Sequence, residues 1–137
     1  MVLGDLGRPE AILEIAWVND DIGTWFLDSE VRRHLHYSFF RVRDRMFLRQ
    51  VTLWDLPPGA ILKSEARTIE VVLYQPDGIV SQTVRSKAAG KTELVEKHGV
   101  DVSPHWEQIP VFGEWASMAR YDRTSDSNAE QPFGKGT

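Results

Sequence analysis

The residues able to do chemistry are few and widely spaced. His34 and His36 stand two apart, a spacing that on one strand aims both imidazoles at the same side and could hold a metal. The pair straddles a predicted helix end and strand start, however, and no carboxylate follows at a useful distance. Surface or capping histidines are the simpler reading. His98, Asp101 and His105 could offer two imidazoles and a carboxylate to iron, but their spacing fits no tight motif and their segment looks irregular. There is no Gly-x-Ser-x-Gly nucleophile elbow and no glycine-rich phosphate loop. The chain has no cysteine, which removes thiolate nucleophiles, Cys-based zinc sites and disulfides, and fits a reducing, cytoplasmic setting. Carboxylate pairs such as Glu65 and Glu70 are what any charged domain contains. No catalytic residue, metal or cofactor is assigned, and the reading leans away from an enzyme.

Two stretches resemble known families. Residues 56–70 (LPPGAILKSEARTIE) resemble the first motif of the cupin β-barrels, where a Pro-Gly turn precedes two histidines and a glutamate that bind a metal. Glu65 and Arg67 stand where those histidines would be, and an arginine cannot ligate a cation. The resemblance therefore implies a barrel without its metal site.

The second stretch is Ile109-Pro110-Val111-Phe112-Gly113-Glu114-Trp115. It resembles the core of the plant NOI domain, whose pattern is an aliphatic residue followed by Pro-x-Phe-Gly-x-Trp. That resemblance implies a short peptide gripped by a protease or another protein, with Pro110, Phe112, Gly113 and Trp115 as the contacted residues. Proline stiffens such a peptide, glycine allows close approach, and two aromatics supply area. The Tyr-Thr-x-x-Phe element that follows in the family is replaced here by Ala116-Ser-Met-Ala-Arg-Tyr121. The alternative is that Phe112 and Trp115 clamp the last segment onto the domain as a hydrophobic lid.

The elements that would position these residues are predicted as follows. Thr24–Leu35 reads as an amphipathic helix: Thr24 offers an N-cap, Leu27, Val31 and Leu35 recur every four residues, and Asp28 precedes Arg32 by one turn. Tyr37–Arg43 and Met46–Trp54 form one hairpin. Thr68–Tyr74 and Ile79–Val84 form a second around Asp77-Gly78. Ala11–Val18 suits a further strand, and Glu93–His98 a short helix stopped by Gly99. The expected fold is α+β: an antiparallel sheet of two hairpins, barrel-like if it closes, with one helix on its inner face. The expected domain spans 1–112, and 113–137 is expected to be a disordered tail that begins within the NOI-like peptide.

With 137 residues, 42% hydrophobic and 26% charged, the chain is one domain's worth. A net charge of −4 argues against a nucleic-acid binder. The cluster Arg32, Arg33, Arg41, Arg43, Arg45 and Arg49 is read as a solvated face. No apolar run approaches a membrane span. The function expected is a non-enzymatic interaction module with a protein partner, and a homodimer is left open. The alternatives are a small cupin-like barrel binding a ligand, and an acidic inhibitor of immunity type.

Overall fold

A computed structural model describes residues 2–5, 8–16, 20–111, 114–121 and 123. Eight strands follow one another as an antiparallel meander: β1 (Val2–Asp5), β2 (Arg8–Ala16), β3 (Asp21–Leu27), β4 (Arg33–Val42), β5 (Arg45–Asp55), β6 (Thr68–Tyr74), β7 (Val80–Ser86) and β8 (Lys91–Lys97). A short ninth strand, β9 (Trp106–Gln108), pairs with the first residues of β5, beyond the stretch of that strand that β6 covers. β1 and β8 form the two ends of the strand order, so the sheet is open.

This is an all-β architecture, which corrects the α+β expectation. Among the described residues the helical elements are single 3-10 turns of three or four residues. The expected amphipathic helix Thr24–Leu35 is instead the end of β3, a tight loop and the start of β4. Ile22, Thr24 and Phe26 are buried in strict alternation, and that period of two overrides the four-residue spacing of Leu27, Val31 and Leu35. The Asp28–Arg32 pair forms at 2.9 Å, but it clamps a loop rather than a helix. Asp28 Oδ1 accepts the backbone N–H groups of Glu30 and Arg32 at 2.9 Å each. Burial alone would raise the Asp28 carboxyl, and these bonds with the Arg32 guanidinium hold it below its ordinary value.

The second hairpin lies where the sequence put it, Thr68–Tyr74 against Val80–Ser86. Gly78 turns at φ +90°, and a Cβ there would sit 2.7 Å from the Val100 carbonyl oxygen, so only glycine fits. The expected helix Glu93–His98 is β8, zipped to β7 along its whole length. Among the described residues no helix is long and apolar enough to cross a membrane.

One face of the sheet carries the core: Ala11 and Leu13 of β2, Ile22 and Phe26 of β3, Leu35, Tyr37 and Phe39 of β4, and Met46, Leu48 and Val51 of β5. The segment 114–121, placed by the sequence beyond the domain, lies over this inner face. Trp115 and Met118 belong to the core cluster. Three polar links fasten the segment. Thr24 Oγ1 donates to the Met118 carbonyl at 2.8 Å, and the Tyr37 hydroxyl donates to the Tyr121 carbonyl. Arg123, 2% exposed, pairs with Glu107 at 2.6 Å.

Candidate functional site

The meander has two faces with different chemistry. On the outer face, alternate residues of β3, β4 and β5 that point away from the core build two aromatic clusters. At one end Trp25 and His36, directly opposite in register, have ring centroids 4.2 Å apart, and Trp54 stacks on Trp25 at 5.5 Å. Lys63, from the 3-10 turn after β5, places Nζ 4.5 Å from the Trp25 centroid and 5.0 Å from the Trp54 centroid. Arg33 adds its guanidinium 5.4 Å from Trp25. Burial, then the Arg33 charge, lowers the Lys63 ammonium below its usual value, and burial likewise lowers His36. Trp25 Nε1 donates to Glu14 at 2.8 Å, which fixes the indole.

At the other end Phe40, Phe47 and Trp106 form cross-strand pairs, Phe40–Phe47 at 6.3 Å and Phe47–Trp106 at 4.7 Å. Arg45 lies 4.3 Å over Trp106 and Arg49 4.8 Å over Phe40. Arg49 is the residue left unmatched where the β4–β5 register shifts. Such a bulge re-aims a side chain. The two clusters are four residues apart along β4, about 13 Å, with Ser38, Gln50 and Thr52 between them. β4 contains no acidic residue, and the one in β5, Asp55, pairs with Arg67 at 3.1 Å. Glu14 and Asp21 on β2 and β3 border this strip. On this face, among the described residues, four cations are thus held over rings in a chain whose net charge is −4.

The inner face also holds a cleft whose lining includes the acidic residues Asp28, Asp55 and Glu70. This cleft, of about 490 Å³, is lined by His34, Leu53, Thr68, Gln82 and Val84 among others. Gln82 Nε2 donates to Glu70 there. His34 is unmatched in the β3–β4 register and also borders a neighbouring cleft of about 410 Å³ with Phe26, Ala119 and Tyr121. Burial keeps its imidazole below the usual value and hence neutral near pH 7. This set can hydrogen-bond a small polar molecule.

The metal candidates do not converge. His34 faces the cleft while His36 lies on Trp25. His98 is exposed beside Glu96 at 3.1 Å, and Asp101 accepts the Ser103 N–H. His105 is 5% exposed, bound through Nδ1 to the Leu48 carbonyl at 2.9 Å and packed on Tyr74 at 4.0 Å. Burial pushes it down to about 4. No group of three or more potential metal ligands exists among the described residues. The cupin-like triplet also scatters. Glu65 caps the N–H groups of Ile61 and Leu62, Arg67 pairs with Asp55, and Glu70 takes Gln82.

Of the four NOI-like contact residues, Phe112 and Gly113 lie outside the described residues. Pro110 is half-buried and Val111 is 66% exposed, whereas Trp115 is 4% exposed within the core. The face formed by Arg33, Arg45, Arg49 and Lys63 was missed because its parts come from separate strands and a loop. The arginine-aromatic interleaving was its one visible signal. No family model matches this chain, and no curated protein or solved structure matches it either.

Proposed function

We propose that this protein is a non-enzymatic interaction module that holds an acidic segment of a protein partner against the outer face of β3, β4 and β5. The observation that carries the reading is the set of four cations held over aromatic rings on one face of a net-acidic chain. Each ring restricts the cation above it, so less side-chain entropy remains to be lost on binding. The rings themselves are the amphipathic, high-area anchors that interfaces favour. Trp106 ends the strip, and Pro110 follows β9 by two residues, about 7 Å of chain. Pro110, Phe112 and Gly113 extend the same contact in this reading, with Trp115 as the buried anchor of the peptide. A cytoplasmic setting belongs to the reading, since the chain needs no disulfide.

The test is retention on immobilised polyglutamate. Wild-type protein should be retained despite its net charge and released by salt, whereas Arg45→Glu with Arg49→Glu should pass through while melting at nearly the wild-type temperature. A wild-type protein that is not retained overturns the reading.

The cleft at His34 supports a second reading, the binding of a small polar ligand between Glu70, Gln82 and Thr68. Native mass spectrometry of the purified protein would reveal a co-purifying small molecule that His34→Ala loses. Failure to find one removes this reading and leaves the first untouched.

A further inference from the structure

The two edges of the sheet differ. β1 is four residues long and its register with β2 breaks between Leu3 and Gly4. β8 is seven residues long, contains no proline, and matches β7 residue for residue without a bulge. All seven residues of β8 are exposed, Leu94 at 69% and Val95 at 48%. Among the described residues nothing pairs with its outer side. A long edge without a bulge offers a row of N–H and C=O groups to another strand.

We propose that a second copy of this chain occupies that edge, with the two β8 strands antiparallel about a two-fold axis at Val95. The charges select this register. A two-fold normal to the sheet requires one residue of β8 to face its own copy, because paired residues must point to the same side. Centred on Val95, Glu93 faces Lys97 twice, Leu94 faces Glu96 twice, and the two Val95 side chains meet. Centred on Leu94, Lys91 would face Lys97. Centred on Glu93 or Glu96, a carboxylate would face its own copy. Directly opposed like charges disfavour those three registers. Centred on Thr92, Lys91 would face Glu93, but only three residues of β8 would pair; of the registers that use most of KTELVEK, the one centred on Val95 is the one in which opposite charges meet.

Glu93 already lies 3.6 Å from Lys91 on its own strand, but both side chains are about two-thirds exposed. Such a surface pair contributes little and does not hold Glu93 away from a partner. Val95 lies opposite Gln82 of β7, and Glu93 opposite Val84. The Val95 pair would continue the inner-face row of Val72 and Gln82 across the two-fold. The dimer would be one continuous sheet with both outer faces on the same side.

Sedimentation velocity over a concentration series tests this. Wild-type protein should pass reversibly from monomer to dimer. Glu93→Lys and Lys97→Glu should each weaken self-association by about tenfold or more, since each turns two attractive pairs into two repulsive ones. An equimolar mixture of the two variants should recover a heterodimer. There the lysine introduced at position 93 of one chain meets the glutamate introduced at position 97 of the other, and the unchanged Lys97 of the first meets the unchanged Glu93 of the second. Both positions are exposed, so at concentrations where the protein is monomeric melting should be unchanged. A wild-type chain that stays monomeric throughout overturns the proposal. So does a dimer that neither variant weakens, or variants that fail to pair when mixed.

Discussion

The two faces of this sheet are built from the same strands and the same alternation, yet they hold their aromatic residues in opposite ways. On the inner face Tyr37, Phe39, Trp115 and Met118 are shut away from water, and the polar groups among them are spent on one another: Thr24 on Met118, Tyr37 on Tyr121, Arg123 on Glu107. On the outer face Trp25, Trp54, Phe40 and Trp106 keep part of their surface, with cations over them rather than a second layer of chain. Aromatic content alone therefore did not decide which side became the core. The C-terminal segment did, by carrying Trp115 and Met118 to one side only.

The contrast between the faces depends most on Trp115. Trp115→Ala should cost about 3–5 kcal/mol in urea unfolding, the usual loss for removing a fully packed large side chain. A loss under about 1 kcal/mol would mean that the segment is not part of the inner face and that the peptide is free to be gripped. The next largest effect is in pH. Burial pushes His105 from its ordinary value of about 6.5 down to about 4 in the folded protein, so between those values the unfolded chain binds more protons. Stability should therefore fall as pH drops through this window, by about 3 kcal/mol in all. His105→Gln should flatten that part of the curve relative to wild type, and an unchanged slope would remove His105 as its source. The smallest effect belongs to the outer face. Lys63→Ala or Arg45→Ala should shift stability by less than about 1 kcal/mol, read as a melting-temperature change. A larger loss would make these cations structural, and the contrast between the faces would disappear.

Much of the meander was legible because its turns carry their own chemistry. Asp77-Gly78 announced the second hairpin, and the run Met46–Trp54 announced β5. β3 was not legible for two reasons: its central inward residue, Thr24, is polar and finds its partner 94 positions later, and the Leu27, Val31, Leu35 spacing imitates a helix. β8 was misread because it is exposed on both sides, so no burial enforces an alternating pattern on its sequence. The last segment gave almost nothing away. Arg123 reads as a solvated residue until Glu107 and Ser117 are brought to it. For the candidate site, the arginines and aromatics were visible in the sequence, but Lys63 joins them only through folding.

The late arrival of the cover on the inner face has a consequence for how the protein is made. A meander grows by adding each strand to its predecessor, so β1 to β8 can assemble as they leave the ribosome, with contacts close in sequence. Tyr37 and Thr24 must wait for Tyr121 and Met118, 84 and 94 residues downstream. Until then an apolar surface of Ile22, Phe26, Leu35 and Phe39 lies open to water, and a nascent chain stalled before Trp115 should be a client for a chaperone.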